Sequence, residues 1–260
     1  MSDAMVDIVA DMMSRPSLSV QLYTVRDQFA ADPVATLERL RDIGFTCVEP
    51  FGLREFIEPI EKALDATGLT APTAHVTLLD GGHEQAFAAA KRVGVTTLID
   101  PFVPEEYWTS RDSVEELADK LSAVADAAAD HGLQVAYHNH WWELEQHVDG
   151  VPTLEVFAGR LGGRVALEID TYWTAVGGVD PVALLGELGP QVVAIHIKDG
   201  PATRDTFAQV PAGHGVLPVE AILAAAPTAR AVVEFDDYSG DIFDGIAESF
   251  AFLTSLGVKA

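Results

Sequence analysis

The stretch RVALEIDTYWTAVGGVDPVALLGELGPQVVAIHIKD, residues 164–199, contains two strand-like runs with one helix-like segment between them. The runs Arg164–Asp170 and Gln191–Ile197 are apolar and rich in Val and Ile, which is typical of strands buried on both faces. Asp180 followed by Pro181 predicts a helix start, because the Asp side chain caps free backbone N–H groups and proline fits the first turn. Two strands joined by a crossover helix are parallel, so the stretch predicts a βαβ unit.

The same alternation repeats along the chain. The chain contains eight strand-like runs, and a helix-like segment follows each of them. The strand-like runs are Leu18–Tyr23, Thr46–Glu49, Leu69–Val76, Thr96–Asp100, Leu133–Asn139, Arg164–Asp170, Gln191–Ile197 and Ala229–Phe235. Eight units favour an α/β fold of one (β/α)8 barrel, a TIM barrel, over residues 18–260. A doubly wound sheet is the alternative, but it normally has a Gly-rich turn after its first strand, and Thr24–Asp27 contains no glycine.

Local signals predict where several helices begin. Asp32 precedes a proline in the same pattern as Asp180. Ser113 with Glu116 resembles a capping box ahead of a long Ala-rich helix. The segment Leu53–Thr67 is predicted to be helical throughout.

Composition excludes several classes of partner. Asp and Glu number 40 against 16 Lys and Arg, a formal net charge of −24. This field repels nucleic acid and anionic membrane surfaces. The single cysteine, Cys47, allows no internal disulfide, which fits a cytoplasmic protein. Residues 1–17 are expected to form an N-terminal extension that is not a signal peptide, and no apolar run is long enough to span a membrane.

Polar residues lie at the ends of the predicted strands, where a buried sheet would carry apolar ones. They are Gln21, Tyr23, Glu49, His75, Asp100, His138, Asn139, His140, Glu168, Asp170, His196, Lys198, Glu234 and Asp236, with Glu143 just beyond the fifth run. In this barrel the C-terminal strand ends build the active site. Converging carboxylates repel one another, and a divalent cation held by carboxylates and an imidazole removes that repulsion. Individually, a strand-end histidine can be structural, and Asp199 or Asp237 can be a helix cap.

Several motifs together resemble the sugar phosphate isomerase/epimerase family of xylose isomerase-like barrels, which includes inosose dehydratases and ketose 3-epimerases. They are SVQLYTVRD (19–27), YHNH (137–140) with Glu143, EIDTYW (168–173), GVDP (178–181), HIKD (196–199) and VEFD (233–236). The resemblance implies one divalent metal ion held by Asp170, His196, Glu234 and a ligand from the fifth strand. Many relatives have a Glu at that strand end, where this chain has His138 and His140. Glu143 is therefore the expected fifth-strand ligand, and His138 is the competing one.

The family chemistry implied by this resemblance is removal of a proton next to a carbonyl through a metal-stabilised enediolate. The expected metal is manganese, with magnesium, cobalt or zinc as alternatives. Residues expected to act in catalysis are His140, Glu234, Lys198 and Glu143. Residues expected to bind a sugar or keto-sugar are Gln21, Glu49, His75, His138, Trp142 and Trp173, although these tryptophans can also simply seal the barrel rim.

Three other activities remain as alternatives. A β-eliminating lyase or dehydratase acting on a keto-sugar or keto-glycoside would use the same metal site and the same enolate. An apurinic-endonuclease-like hydrolase needs a basic groove, which the charge of −24 opposes. A sugar-binding barrel without catalysis would need no aligned base such as His140. A homo-oligomer is expected as one alternative for the assembly, and Gly213–Gly215 is a candidate for a phosphate-binding loop or a loop hinge.

Overall fold

The computed structural model describes residues 18–260, so the N-terminal extension expected at residues 1–17 lies outside the described part. Nine strands are present there: β1 Ser19–Val20, β2 Thr73–His75, β3 Thr97–Asp100, β4 Gln134–His138, β5 His147–Val148, β6 Val151–Pro152, β7 Ala166–Asp170, β8 Val192–Ile197 and β9 Arg230–Val233. Seven of them form one parallel sheet in the order β1-β9-β8-β7-β4-β3-β2. The short pair β5 and β6 is antiparallel.

The predicted run Thr46–Glu49 lies between β1 and β2 and forms only isolated bridges, Gln21 with Glu49 and Cys47 with Thr70. The Glu49 N–H nevertheless donates to the Val20 carbonyl, and the Val48 N–H donates to the Thr70 carbonyl. This run therefore bonds both of its neighbours and connects the two edges of the sheet. The predicted (β/α)8 barrel is confirmed, with seven regular strands in place of eight.

Eleven α-helices in the described residues accompany the strands: α1 Arg26–Ala31, α2 Pro33–Ile43, α3 Ile57–Thr67, α4 His83–Val93, α5 Arg111–Ala129, α6 Trp142–Glu145, α7 Thr153–Leu161, α8 Thr171–Val176, α9 Pro181–Leu188, α10 Val219–Ala225 and α11 Ile242–Ser255. No helix within residues 18–260 is long and apolar enough to cross a membrane.

The capping predictions are confirmed at two helices and wrong at one. Asp32 caps α2 by accepting the Ala35 N–H at 3.1 Å, and Asp180 caps α9 by accepting the Val182 N–H at 2.9 Å. Helix α5 is capped by Ser110, not by Ser113. Ser113 lies inside the helix, and its hydroxyl donates to the Tyr107 carbonyl at 2.7 Å.

Side chains of β7 alternate between two environments, as a strand dictates. Ile169 packs in the main hydrophobic core, whereas Glu168 and Asp170 contact polar groups of the other strands inside the barrel. The same alternation in β8 puts Ile197 in the core and His196 among the polar groups. The fold thereby gathers the polar strand ends at one place.

Candidate active site

A cavity of about 610 Å³ opens at the C-terminal ends of the barrel strands. Its polar lining includes His75 of β2, His138 of β4 and Lys198, which directly follows β8. Glu234 and Asp236, just after β9, complete this side. The cavity therefore lies over the cluster of strand-end residues that the sequence analysis singled out.

Four of these side chains could hold a metal ion between them. The ligand atoms of His138, Asp170, His196 and Glu234 all lie within 4.8 Å of one another, and all four residues are buried. Two carboxylates and two imidazoles are an ordinary ligand set for zinc, manganese or cobalt. Sheet register creates the group, because Asp170 of β7 pairs directly with His196 of β8.

Carboxylates behind the two histidines fix their ring orientation. His138 Nδ1 lies 3.1 Å from Glu168 Oε2, and His196 Nε2 lies 2.9 Å from Glu49 Oε1. His196 Nδ1 faces Glu234 at 2.7 Å, and His138 Nε2 lies 4.0 Å from Asp170. Metal-ligating histidines usually donate their other ring N–H to a carboxylate, which selects the tautomer. The arrangement leaves His138 Nε2 and His196 Nδ1 on the side of the ligand cluster.

Glu168 also belongs to a second group that could hold a cation, made with His75, His138 and His196. Its Oε2 lies 2.6 Å from His75 Nε2 and 3.1 Å from His196 Nε2. One carboxylate oxygen therefore faces three imidazoles. These contacts hold the three rings together beneath the cavity.

Positive charge inside the barrel balances its carboxylates. The ammonium of Lys198 lies 2.8 Å from Asp170, 2.6 Å from Glu234 and 2.8 Å from Asp236. Burial alone would lower the pKa of Lys198, but these carboxylates raise the pKa well above its usual value. Burial likewise opposes protonation of His196, yet Glu168 and Glu234 raise its pKa well above the ordinary range. Lys198 and His196 in turn lower the pKa of Glu234 well below normal, against the effect of burial.

His138 differs from His196 in its preferred charge state. Burial and the neighbouring His196 lower the pKa of His138 well below its usual value, so its imidazole is neutral near pH 7. Burial opposes ionisation of Glu168, but His196 and His75 lower the pKa of Glu168 well below normal. Burial and Glu168 raise the pKa of Glu49. A neutral imidazole backed by an ionised carboxylate is the form that binds a metal.

Glu143 lies apart from the four-ligand cluster. It is fully buried in α6, so it is not a solvated loop carboxylate. One oxygen accepts the Tyr137 hydroxyl at 2.7 Å, and the other accepts the His140 backbone N–H at 2.9 Å. The structure therefore places His138, and not Glu143, beside Asp170, His196 and Glu234.

His140 lines the cavity next to this cluster. Its ring stacks on Trp142, with centroids 4.2 Å apart and planes 8° apart. His140 Nδ1 has no hydrogen-bond partner among the described residues, and it lies 3.9 Å from Glu143 Oε1. The imidazole is thus held in place by packing while a ring nitrogen remains unbonded.

The residues expected to bind substrate fall into two groups. His75, His138, Trp142 and Trp173 line the cavity. Gln21 and Glu49 are fully buried and bonded to each other at 2.9 Å, and they are not among the lining residues. Glu49 also accepts the Thr73 hydroxyl. These two lie in the network beneath the cavity.

Other features of the site had weaker sequence signals or none. Glu168 was recognised as a strand end, but its contacts with three histidines depend on pairings between strands. Phe102 and Arg204 also line the cavity and belong to no motif, whereas Arg26 lies within SVQLYTVRD (19–27) but is not predicted as a site residue. Only the position of Phe102, two residues after the strand end Asp100, could have suggested it.

The loop Gly213–Gly215 is not a phosphate-binding loop in this structure. The N–H groups of Gly213 and Gly215 both donate to Asp199 Oδ2, at 2.9 and 3.0 Å. Asp199 Oδ1 accepts the N–H groups of Gly200 and Leu217. The carboxylate of Asp199 therefore occupies the donors that a phosphate would need, and it organises the loop after β8.

Comparison with known proteins settles the family. The family model described as "Xylose isomerase-like TIM barrel" matches residues 37–256. The chain belongs to this family. Within it, the chain is similar to an inosose dehydratase of Clostridium beijerinckii, with 26% identity over 99 residues, 38% of this chain and 33% of that protein. It is also similar to the rhizopine catabolism protein MocC of Rhizobium meliloti, with 29% identity over 140 residues, 54% of this chain and 42% of that protein. The matches thus span less than half the length of either relative.

Several solved structures share the fold of this chain at low sequence identity. A sugar phosphate isomerase/epimerase from Parabacteroides distasonis superposes with a TM-score of 0.80 at 21% identity, over 92% of this chain and 93% of that one. The 3-keto-D-glucoside 4-epimerase YcjR from E. coli superposes with a TM-score of 0.64 at 18% identity, over 85% of this chain and 94% of that one. The IOLI protein with a bound zinc atom superposes with a TM-score of 0.65 at 13% identity, over 93% of this chain and 98% of that one.

Proposed function

We propose that this protein is a divalent-metal-dependent isomerase or epimerase that removes a proton next to the carbonyl of a sugar or keto-sugar. The observation that carries the proposal is the buried cluster of His138, Asp170, His196 and Glu234 beneath the cavity. Two of its members have carboxylates placed to accept their second ring N–H. Family members named as epimerases and dehydratases support the reaction class.

The residues present fit a metal ion well. His138 offers a neutral imidazole, and Asp170 Oδ2 is a buried carboxylate oxygen that faces the Lys198 ammonium at 2.8 Å. We therefore assign the β4 ligand to His138 and give Glu143 the role of holding the His140 backbone. Manganese is our first choice, and zinc is an alternative because the related IOLI structure holds it.

A bound metal ion would supply Lewis acidity to the substrate carbonyl. His140 is the proton acceptor in this proposal, because its ring lines the cavity; Nδ1 is buried 3.9 Å from Glu143 Oε1, so Nε2 is the nitrogen that would take the proton. The stack with Trp142 fixes the ring, and the buried Glu143 carboxylate can stabilise the imidazolium that forms. Lys198 already contacts three carboxylates, so we assign it to balancing their charge rather than to polarising the substrate.

Elimination is the second candidate reaction. The same carbanion expels a leaving group when one lies on the neighbouring carbon, and one similar protein is named as a dehydratase. Measuring released water or aglycone alongside proton exchange separates the two reactions.

The direct test follows deuterium from heavy water into keto-sugars by NMR, with wild-type protein and His140→Gln, both loaded with manganese. We expect wild-type exchange at the carbon next to the carbonyl, and a loss of about 100-fold or more in His140→Gln. Metal content should be equal in the two proteins, because His140 is not a proposed ligand. Absence of exchange by metal-loaded wild-type protein across the panel would refute the proposed chemistry, and full exchange by His140→Gln would refute the assigned base.

A further inference from the structure

The cavity is larger and more apolar than a single sugar ring requires. Its volume of about 610 Å³ is in the range of pockets that hold drug-sized ligands, roughly 300–1,000 Å³. Its lining divides into a polar floor and an aromatic wall. The wall consists of Tyr23, Phe51, Phe102, Trp141, Trp142 and Trp173.

The exposed fractions of these side chains indicate how deep in the cavity each one lies. Trp142 and Trp173 are 6% and 2% exposed, whereas Phe102 and Tyr23 are 51% and 41% exposed. The tryptophans therefore lie near the floor, and Phe102 and Tyr23 lie at the opening. Phe51 packs edge-on against Tyr23, with ring centroids 5.7 Å apart.

The deep part of the wall contains two polar groups. Trp142 Nε1 and Trp173 Nε1 are buried and have no partner among the described residues. An indole N–H only donates, and leaving it unbonded in the interior has a free-energy cost. Both N–H groups are shielded from the cavity surface, so neither one contacts a ligand in this conformation.

The outer part of the wall suits an apolar group instead. Phe102 stands edge-on to His140 at 5.7 Å and to Trp142 at 5.6 Å, and half of its surface is exposed at the opening. A flat apolar ring placed against Phe102 and Tyr23 would cover exposed aromatic surface and gain aromatic contacts, whereas a sugar ring would cover less apolar surface there.

A phosphate group fits the opening poorly. Arg26 pairs with Asp237 at 2.6 Å, and Arg204 pairs with Glu145 at 2.6 Å. Lys198, the third Lys or Arg in the lining, contacts three carboxylates. Each of these cations is already matched by a negative charge within the protein.

We propose that the substrate is a keto-glycoside with an aromatic aglycone, whose sugar lies over the polar floor while the aglycone packs between Phe102 and the Tyr23–Phe51 pair. This inference rests on the proposed function and names its substrate class. These aromatic rings at the opening form an aglycone subsite that is continuous with the candidate active site. The class excludes free monosaccharides and sugar phosphates as preferred substrates.

The test compares methyl and phenyl 3-keto-β-D-glucopyranosides with manganese-loaded protein, measuring dissociation constants by calorimetry and deuterium exchange by NMR. We expect the phenyl compound to bind at least about tenfold more tightly, from burial of its ring against aromatic side chains. Phe102→Ala should remove most of this preference. Phe207→Ala is the matched control, because Phe207 is 61% exposed and does not line the cavity, and it should keep the preference.

The possible outcomes separate the two proposals. Equal binding of the methyl and phenyl compounds overturns the aglycone subsite, as does a preference that survives both Phe102→Ala and Tyr23→Ala. Tighter binding of a keto-sugar phosphate than of the phenyl compound also overturns it. If the phenyl compound binds more tightly but neither compound exchanges deuterium, the aglycone subsite stands and the proposed reaction is refuted. If both compounds exchange deuterium but bind equally well, the proposed reaction stands and the aglycone subsite is refuted.

Discussion

At the residue scale, the carboxylate of Glu168 sets the tautomer of His138. Glu168 faces His138 across the register of β4 and β7 and accepts its Nδ1–H, so Nε2 turns toward Asp170. Glu168→Gln would keep the shape of the side chain but remove the charge, and an amide can present a donor to the same ring nitrogen. The proposed ligand would then lose its orientation and basicity.

We predict that Glu168→Gln weakens manganese binding by about 10–100-fold, measured by equilibrium titration. Cobalt substitution adds a spectroscopic readout, because a changed ligand geometry alters the visible absorption bands. The control is Glu116→Gln, an exposed change on α5 that should leave affinity unchanged. Wild-type affinity and an unchanged cobalt spectrum in Glu168→Gln would contradict the positioning role.

Asp100 gives a prediction about pH. It is fully buried, accepts the N–H groups of Leu78 and Phe102, and burial raises its pKa from 3.8 to about 6. The folded chain therefore holds this proton more tightly than the unfolded chain, so the carboxyl contributes less stability as pH rises from about 4 to about 6. We compare the free energies of unfolding of Asp100→Asn and wild type, measured by urea unfolding. Their difference should shift in favour of Asp100→Asn by about 2 kcal/mol when the pH is raised from 4 to 7. A difference that is the same at both pH values would contradict the shifted pKa.

At the element scale, apolar runs and Asp–Pro caps predicted most helices and strands because those signals are local. The predicted helix starts were wrong where tertiary contacts determine where the helix begins. Ser113 has the spacing of a capping box, but the preceding turn lets Ser110 cap α5. Helix α3 begins at Ile57 rather than Leu53, since the Leu53 N–H donates to the His75 carbonyl and joins the barrel end. Periodicity cannot reveal such a bond.

The loop after β8 depends on Asp199, whose carboxylate accepts four backbone N–H groups. Asp199→Ala would leave these donors unpaired, and we predict a loss of about 3 kcal/mol in unfolding free energy. Limited proteolysis should show new cleavage within residues 200–217. The matched control is Asp205→Ala, which removes a single exposed cap contact and should cost about 1 kcal/mol or less. Equal stability and equal cleavage in the two variants would contradict this role.

At the scale of the whole molecule, the barrel gathers acidic side chains that would repel one another if left unbalanced. The sequence predicted this convergence, because the ends of parallel strands meet at one face. The resemblance led us to expect Glu143 as the fifth-strand ligand, with His138 as the competitor, but that choice depends on which side chain packs inward. In the structure Glu143 turns to Tyr137 and the His140 backbone, and His138 turns to Glu168.

The most direct test of the central claim is metal content, measured by plasma mass spectrometry on protein purified without a metal-affinity tag. Wild-type protein should hold about one divalent ion per chain, and so should Glu143→Gln. His138→Ala and Asp170→Ala should lose the ion while their far-ultraviolet circular dichroism stays native. Wild-type protein that holds no metal after incubation with manganese and desalting would contradict the site, and loss of metal in Glu143→Gln with retention in His138→Ala would contradict the assigned ligand.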